Sequence, residues 1–121
     1  MYQEEYKRWL AADLEDADLN PELSRIEGND EEIKERFAVA LKFGTAGLRG
    51  VLGAGTNRMN KYIVAQATQG YANYLLKVQT ENGFRNVQDG RVSVVVGHDC
   101  RNNGRLFAET VANVFSANGI K

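Results

Sequence analysis

The 121-residue sequence predicts an α/β fold, and three observations carry the prediction. Four stretches space their apolar residues three and four apart, as one face of a helix requires. Residues 91–97 (RVSVVVG) are β-branched and nearly continuously apolar, which suits a strand covered on both faces. Residues 43–57 hold five glycines, each of which would cost about 1 kcal/mol inside a helix, so they form a loop with a short hairpin around Val51 and Leu52. The resulting order of helix, helix, glycine loop, helix, strand and helix is that of an α/β layer protein.

The first stripe is Tyr2, Tyr6, Trp9 and Leu10, and the second is Ile33, Phe37, Ala40 and Leu41. The N-terminal third therefore reads as two amphipathic helices, punctuated by Pro21 and by the turn Gly28, Asn29, Asp30. Helical spacing assigns Tyr2, Tyr6 and Trp9 to packing rather than to stacking on a sugar. Asp30, Glu31 and Glu32 place acids at the positive end of a helix dipole. Ile63, Ala67, Tyr71, Tyr74, Leu75 and Val78 trace a helix from near Asn60 to about Gln79, closed by Glu81, Asn82 and Gly83. After the strand comes a polar loop, residues 98–104. Phe107, Val111, Val114 and Phe115 then define a last helix that ends at Asn118 and Gly119. An α/β pattern would begin its next parallel strand at Ile120 and Lys121, so the chain is expected to be truncated and its sheet incomplete.

Composition narrows the function. Fifteen Lys and Arg against sixteen Asp and Glu, with an isoelectric point near 5.8, argue against a nucleic-acid binder. The single cysteine, Cys100, cannot close an intramolecular disulfide, and with His98 as the only imidazole no thiolate or thiolate–imidazole zinc site can be built. The longest apolar run near the N-terminus, residues 9–12, is far short of a signal peptide or a membrane span. These features predict a cytoplasmic protein without a membrane partner.

The near balance of charge conceals a segregation. Residues 1–35 carry a net −8, whereas residues 36–80 contain Arg36, Lys42, Arg49, Arg58, Lys61 and Lys77 and no acid at all. Such a stretch attracts anions. Lys61 and Lys77 are assigned to a solvated helix face and Arg36 to pairing with the acidic segment, which leaves Arg49 as the cation of interest.

Arg49 lies in FGTAGLRG, residues 43–50. Glycines at 44, 47 and 50 allow positive φ and let a ligand approach main-chain N–H groups, Thr45 adds a hydroxyl, and Arg49 adds a planar fork of donors. That is phosphate chemistry, though neither a Walker A loop nor a dinucleotide fingerprint is present. By spacing alone, a tight hairpin with a solvated arginine remains the alternative.

The words are more specific than their spacing. FGTAGLRG, then GAGTNRMN at residues 53–60, then VVVGHDCRNNG at residues 94–104 resemble, in order, the start of the α-D-phosphohexomutase superfamily. The long acidic lead is similar to its phosphoglucomutase and phosphopentomutase branch. The resemblance implies a three-layer α/β/α sandwich with a mixed sheet, the first of four domains. Residues 1–42 would be an acidic helical lead and residues 43–121 part of that first domain, one structural domain in all.

The resemblance further implies an enzyme that moves a phosphoryl group between the 1 and 6 positions of a hexose phosphate. It works through a phosphoserine, a bisphosphorylated intermediate such as glucose 1,6-bisphosphate, and Mg²⁺. Arg49 is then the catalytic candidate, a fixed cation opposing charge on the transferring phosphoryl. Thr45, Gly47, Arg49 and Arg58 would bind the phosphosugar, with a hydrogen bond that stabilises the hairpin as the alternative role for Arg58. His98, Asp99 and Arg101 would support the cleft, Asp99 and Arg101 by pairing with each other or by bracing the glycine loop. A backbone-bonded loop histidine and a partly buried thiol are the plainer readings of His98 and Cys100. No Ser-His-Asn-Pro or Asp-Gly-Asp-Gly-Asp sequence occurs, and Ser24, Ser93 and Ser116 stand in other contexts, so nucleophile and metal ligands are expected in the parent's remaining domains. This chain alone should be inactive, and its uncovered apolar surface should favour self-association. A phosphopentomutase or phosphomannomutase domain, or a stand-alone phosphosugar-binding module, would draw on the same loop.

Overall fold

Helices form over the predicted stripes, except that the second stripe's helix ends at Phe37, before Ala40 and Leu41, and each buries less of its stripe than expected. A computed structural model describes residues 1–82, 87, 88 and 91–121, with the backbone alone at 80–82, 87 and 88. The elements in order are α1 (Tyr2–Ala11), α2 (Leu19–Arg25), α3 (Asp30–Phe37), β1 (Phe43–Gly44), β2 (Gly47–Leu48), α4 (Lys61–Asn82), β3 (Val87–Gln88), β4 (Arg91–Val92) and α5 (Gly104–Ala117). The class is α/β, and the chain divides into two compact units, Met1–Ile63 and Val64–Lys121.

In the first unit, α1 turns Tyr6 and Trp9 onto Phe37 of α3, edge to face at 5.7 Å each. Leu19, Leu23, Ile26 and Ile33 complete this core with Ala54 and Ile63. Fully burying a residue such as Leu23 is worth about 2 kcal/mol. Inside the core the Tyr6 hydroxyl donates to the Leu23 carbonyl at 2.8 Å. Three helices stand where two were expected, because Pro21 lies inside α2 instead of interrupting the chain. It occupies the first turn, where backbone N–H groups have no helical partner, so its missing donor costs nothing there. Asn29 caps α3 by accepting from the Glu32 N–H at 3.3 Å.

In the second unit, Ala72 and Leu75 of α4 pack with Val92, Phe115 and Ile120. The stripe expected on α4 is displaced, since Tyr71 and Tyr74 are exposed while Thr68 and Ala72 are buried. The helix runs on through Glu81 and Asn82, and Gly83, expected to end it, lies outside the described residues. Helix α5 closes as predicted: Asn118 caps it and Gly119 takes φ +74°.

The expected strand over residues 91–97 is a correction. Only Arg91–Val92 is strand, paired antiparallel with Val87–Gln88, and Val95 is fully exposed. A strand exists only against a neighbour, and among the described residues just one follows Val92. The Lys121 N–H donates to the Val92 carbonyl and its carbonyl accepts from the Val94 N–H, both at 2.8 Å. Those two bonds flank Ser93 in the pattern of a parallel ladder, at the position where the sequence predicts the next parallel strand.

Candidate functional site

The glycine motif folds as a two-residue hairpin. Phe43 faces Leu48 and Gly44 faces Gly47, with Thr45 and Ala46 at the tip. Gly47 adopts φ +99°, a conformation that L side chains rarely take, and a Cβ there would meet open space. The hairpin anticipated at Val51 and Leu52 thus lies earlier. Leu52 instead makes a lone parallel bridge to Met59.

Thr45 is exposed at the tip, and Arg49 follows β2, also exposed. Arg49 makes no hydrogen bond or ion pair with any described residue. The other arginines of the acid-free stretch are spent internally. Arg36, only 6% exposed, donates through Nε to Glu32 at 2.8 Å, through Nη1 to Glu22, and to the Ala54 carbonyl at 3.2 Å. Arg58, 7% exposed, donates to Glu35 and to the Asn57 carbonyl, each at 3.2 Å. Lys61 pairs with Glu15 at 3.4 Å. The acidic lead therefore neutralises its neighbours one by one and leaves the hairpin's guanidinium free to meet an external anion.

Burial opposes the charge on Arg36, but the hydrogen bonds and charges of Glu22 and Glu32 outweigh it and raise its pKa. The hydrogen bond from Arg36, reinforced by its charge, holds the Glu32 carboxyl below its ordinary value.

His98, Asp99 and Arg101 belong to the second unit and are all exposed. Asp99 accepts from Arg101 Nε at 3.2 Å and from the Arg101 N–H at 3.0 Å, a local pair. His98 Nδ1 lies 3.0 Å from the Asp99 carbonyl. Cys100 is exposed rather than partly buried.

An open groove of about 350 Å³ lies on the first unit, lined by Arg8, Trp9, Ala12, Leu14 and Tyr62, and none of the anticipated site residues borders it. Among the described residues no three His, Cys, Asp or Glu side chains gather where a metal ion could sit. A Mg²⁺ site built from three such ligands is therefore not seen among the described residues. No described helix is long and apolar enough to cross a membrane.

Sequence reasoning missed Glu22. Its two carboxylate oxygens bridge Arg36 and the Ala54 N–H, the latter at 3.2 Å. Its signal was the juxtaposition of an acid-rich and an acid-free segment, which announces pairing without naming the partners.

The glycine hairpin thus presents one exposed, unpaired arginine within an α/β chain. The family model described as phosphoglucomutase/phosphomannomutase, alpha/beta/alpha domain I matches residues 40–121, and the chain belongs to that family. Among curated relatives it is 34% identical to a human phosphopentomutase, over 97% of this chain and 19% of the relative. It is 35% identical to a phosphomannomutase of Mycoplasmoides pirum, over 97% of this chain and 20% of the relative. A Staphylococcus aureus phosphoglucomutase is 35% identical over 73% of this chain and 14% of its own length. The chain thus spans about a fifth of the length of the relatives that it matches throughout. No solved structure matches it.

Proposed function

We propose that this chain is the first domain of a phosphosugar mutase, and that its hairpin delivers Arg49 to the phosphoryl group in transit. The observation that carries the reading is the contrast among the arginines. Arg36 and Arg58 are buried on carboxylates, whereas Arg49, in the motif FGTAGLRG, is exposed and unpaired. A guanidinium with all its donors free can take two oxygens of a phosphate at once. Its charge opposes the negative charge that develops as the phosphoryl leaves one sugar oxygen for another. Nucleophile, metal and acid–base groups would come from the rest of a longer polypeptide, so the isolated domain would not turn over.

The substrate pair we favour is glucose 1-phosphate and glucose 6-phosphate. A pentose phosphate is the second reading, supported by phosphopentomutases and phosphoribomutases among the relatives that cover most of the chain. Arg49→Ala in the full-length protein is expected to lower kcat by about 10²- to 10³-fold, as removal of a single transition-state donor does elsewhere. Near wild-type turnover would refute the role. Assaying the wild-type protein on ribose 1-phosphate beside glucose 1-phosphate decides between the two sugars.

A further inference from the structure

The hairpin that carries Arg49 stands on two feet, and both rest on the same loop. On one side the Leu41 N–H donates to the Thr56 carbonyl at 2.9 Å. On the other, the Met59 N–H donates to the Val51 carbonyl at 2.7 Å and the Gly53 N–H to the Met59 carbonyl at 3.1 Å. Between the feet, Gly50 lies so close to Leu41 that a Cβ would come within 2.8 Å of its side chain. The orientation of Arg49 therefore depends on where residues 53–59 are held.

Arg36 grips that loop through both its side chain and its backbone, and Glu22, Glu35 and Asn60 add further bonds to it. The Arg36 carbonyl accepts from the Asn57 N–H at 2.9 Å, and its guanidinium reaches the Ala54 carbonyl. Gly55 passes so near that a Cβ would sit 2.7 Å from the Arg36 carbonyl oxygen. Glu22 fixes the guanidinium from α2 while also taking the Ala54 N–H, and Glu32 fixes it from α3. A buried cation anchored on two helices is a rigid reference point, and a displacement of about 1 Å in a catalytic group can cost on the order of 10²-fold in rate.

We propose that Arg36, clamped between Glu22 and Glu32, is a positioning residue that sets Arg49 by holding the loop on which both feet of the hairpin rest. The proposal rests on the role given to Arg49 above. It separates two tasks within one acid-free segment, an inner arginine that never meets the substrate and an outer one that does.

The test uses the full-length protein with Arg36→Lys, which keeps the charge and loses the fork, and with Glu22→Gln as a milder second variant. Arg36→Lys is expected to lower kcat about tenfold. In an Arg49→Ala background the same change should cost less than about twofold, because a residue that acts only through Arg49 has nothing left to position. Millisecond hydrogen exchange should show residues 43–50 exchanging several-fold faster in both variants, with α5 unchanged. Overturning results are equal losses with and without Arg49, as a general folding role would give, or unchanged exchange across the hairpin. Should Arg36→Lys not fold, the same two comparisons on Glu22→Gln decide. Absence of mutase activity in the wild-type protein would defeat the functional reading instead, and exchange would then judge the positioning.

Discussion

The first unit contains two glycine-rich segments a few residues apart that use glycine in opposite ways. At residues 53–57 the absence of a side chain lets other groups come in. A Cβ at Gly53 would strike a Glu22 oxygen at 2.7 Å, and one at Gly55 would strike Arg36 backbone and side chain at 2.7 and 2.9 Å. Asn60 Nδ2 closes this loop by donating to the carbonyls of Gly53 and Gly55, while its Oδ1 caps α4 through the N–H groups of Tyr62 and Ile63. In the hairpin the glycines serve curvature and clearance: the space beside Gly47 is empty, and only Gly50, at its base, is pressed, by the side chain of Leu41 at 2.8 Å. One segment is built to be held, the other to be approached. Glycine content alone does not tell anchor from instrument; what each glycine faces does.

The sharpest way to break this contrast is Gly55→Ala. It combines an unfavourable φ of +133° with collision against backbone that cannot move aside, so a loss of about 4 kcal/mol is expected in denaturant unfolding. A cost under about 1 kcal/mol would show that the anchor is looser than the geometry implies. Arg36→Ala comes next, at about 3 kcal/mol, since it strands Glu22 and Glu32 against the loop. Arg49→Ala, the matching change on the hairpin, should stay within about 0.5 kcal/mol of wild type in the same titration. Gly47→Ala should cost about 1 kcal/mol, because only backbone strain and no collision opposes it.

The smallest effect is on pH. The Glu32 carboxyl titrates below its usual 4.5 because Arg36 hydrogen-bonds and pairs with its charged form. A lowered folded-state value contributes stability that is present above pH 4.5 and is lost as pH falls through the folded value. Wild type should therefore exceed Glu32→Gln in melting temperature near pH 7, and the gap should shrink as the pH falls through the lowered folded-state value. A gap that stays constant until acid unfolds both proteins would remove Glu32 from the clamp.

Much of this was legible beforehand. Helix positions followed from periodicity because burial of one face sets a 3.6-residue repeat whatever the partner is. Pro21 misled because its effect depends on its position relative to a helix start that nothing nearby marks strongly. Tyr71 and Tyr74 misled because an amphipathic stripe has edges, and which edge is covered is decided by the element that lands on it. The strand at 91–97 was over-read for the same reason: β-branched residues favour extended backbone, but hydrogen bonds come from a neighbour, and only Lys121 supplies them beyond Val92 among the described residues. The charge boundary between residues 35 and 36 is crossed by ion pairs, because folding brings together opposite charges that lie far apart in sequence.

The chain's own letters determined its family, four of its five described helices and the presence of a glycine hairpin bearing one arginine, since these depend on local sterics and on words that need no partner. The charge pattern singled out Arg49 and gave Arg36 a partner in the acidic segment; only the tertiary structure decided which carboxylates hold Arg36 and Arg58 and so leave Arg49 free. Arg36, Arg49 and Arg58 are the same residue type in the same acid-free stretch, and what separates them is the set of carboxylates that α2 and α3 bring within hydrogen-bonding distance. Coulomb attraction at about 3 Å is a property of space, and linear order carries no record of it.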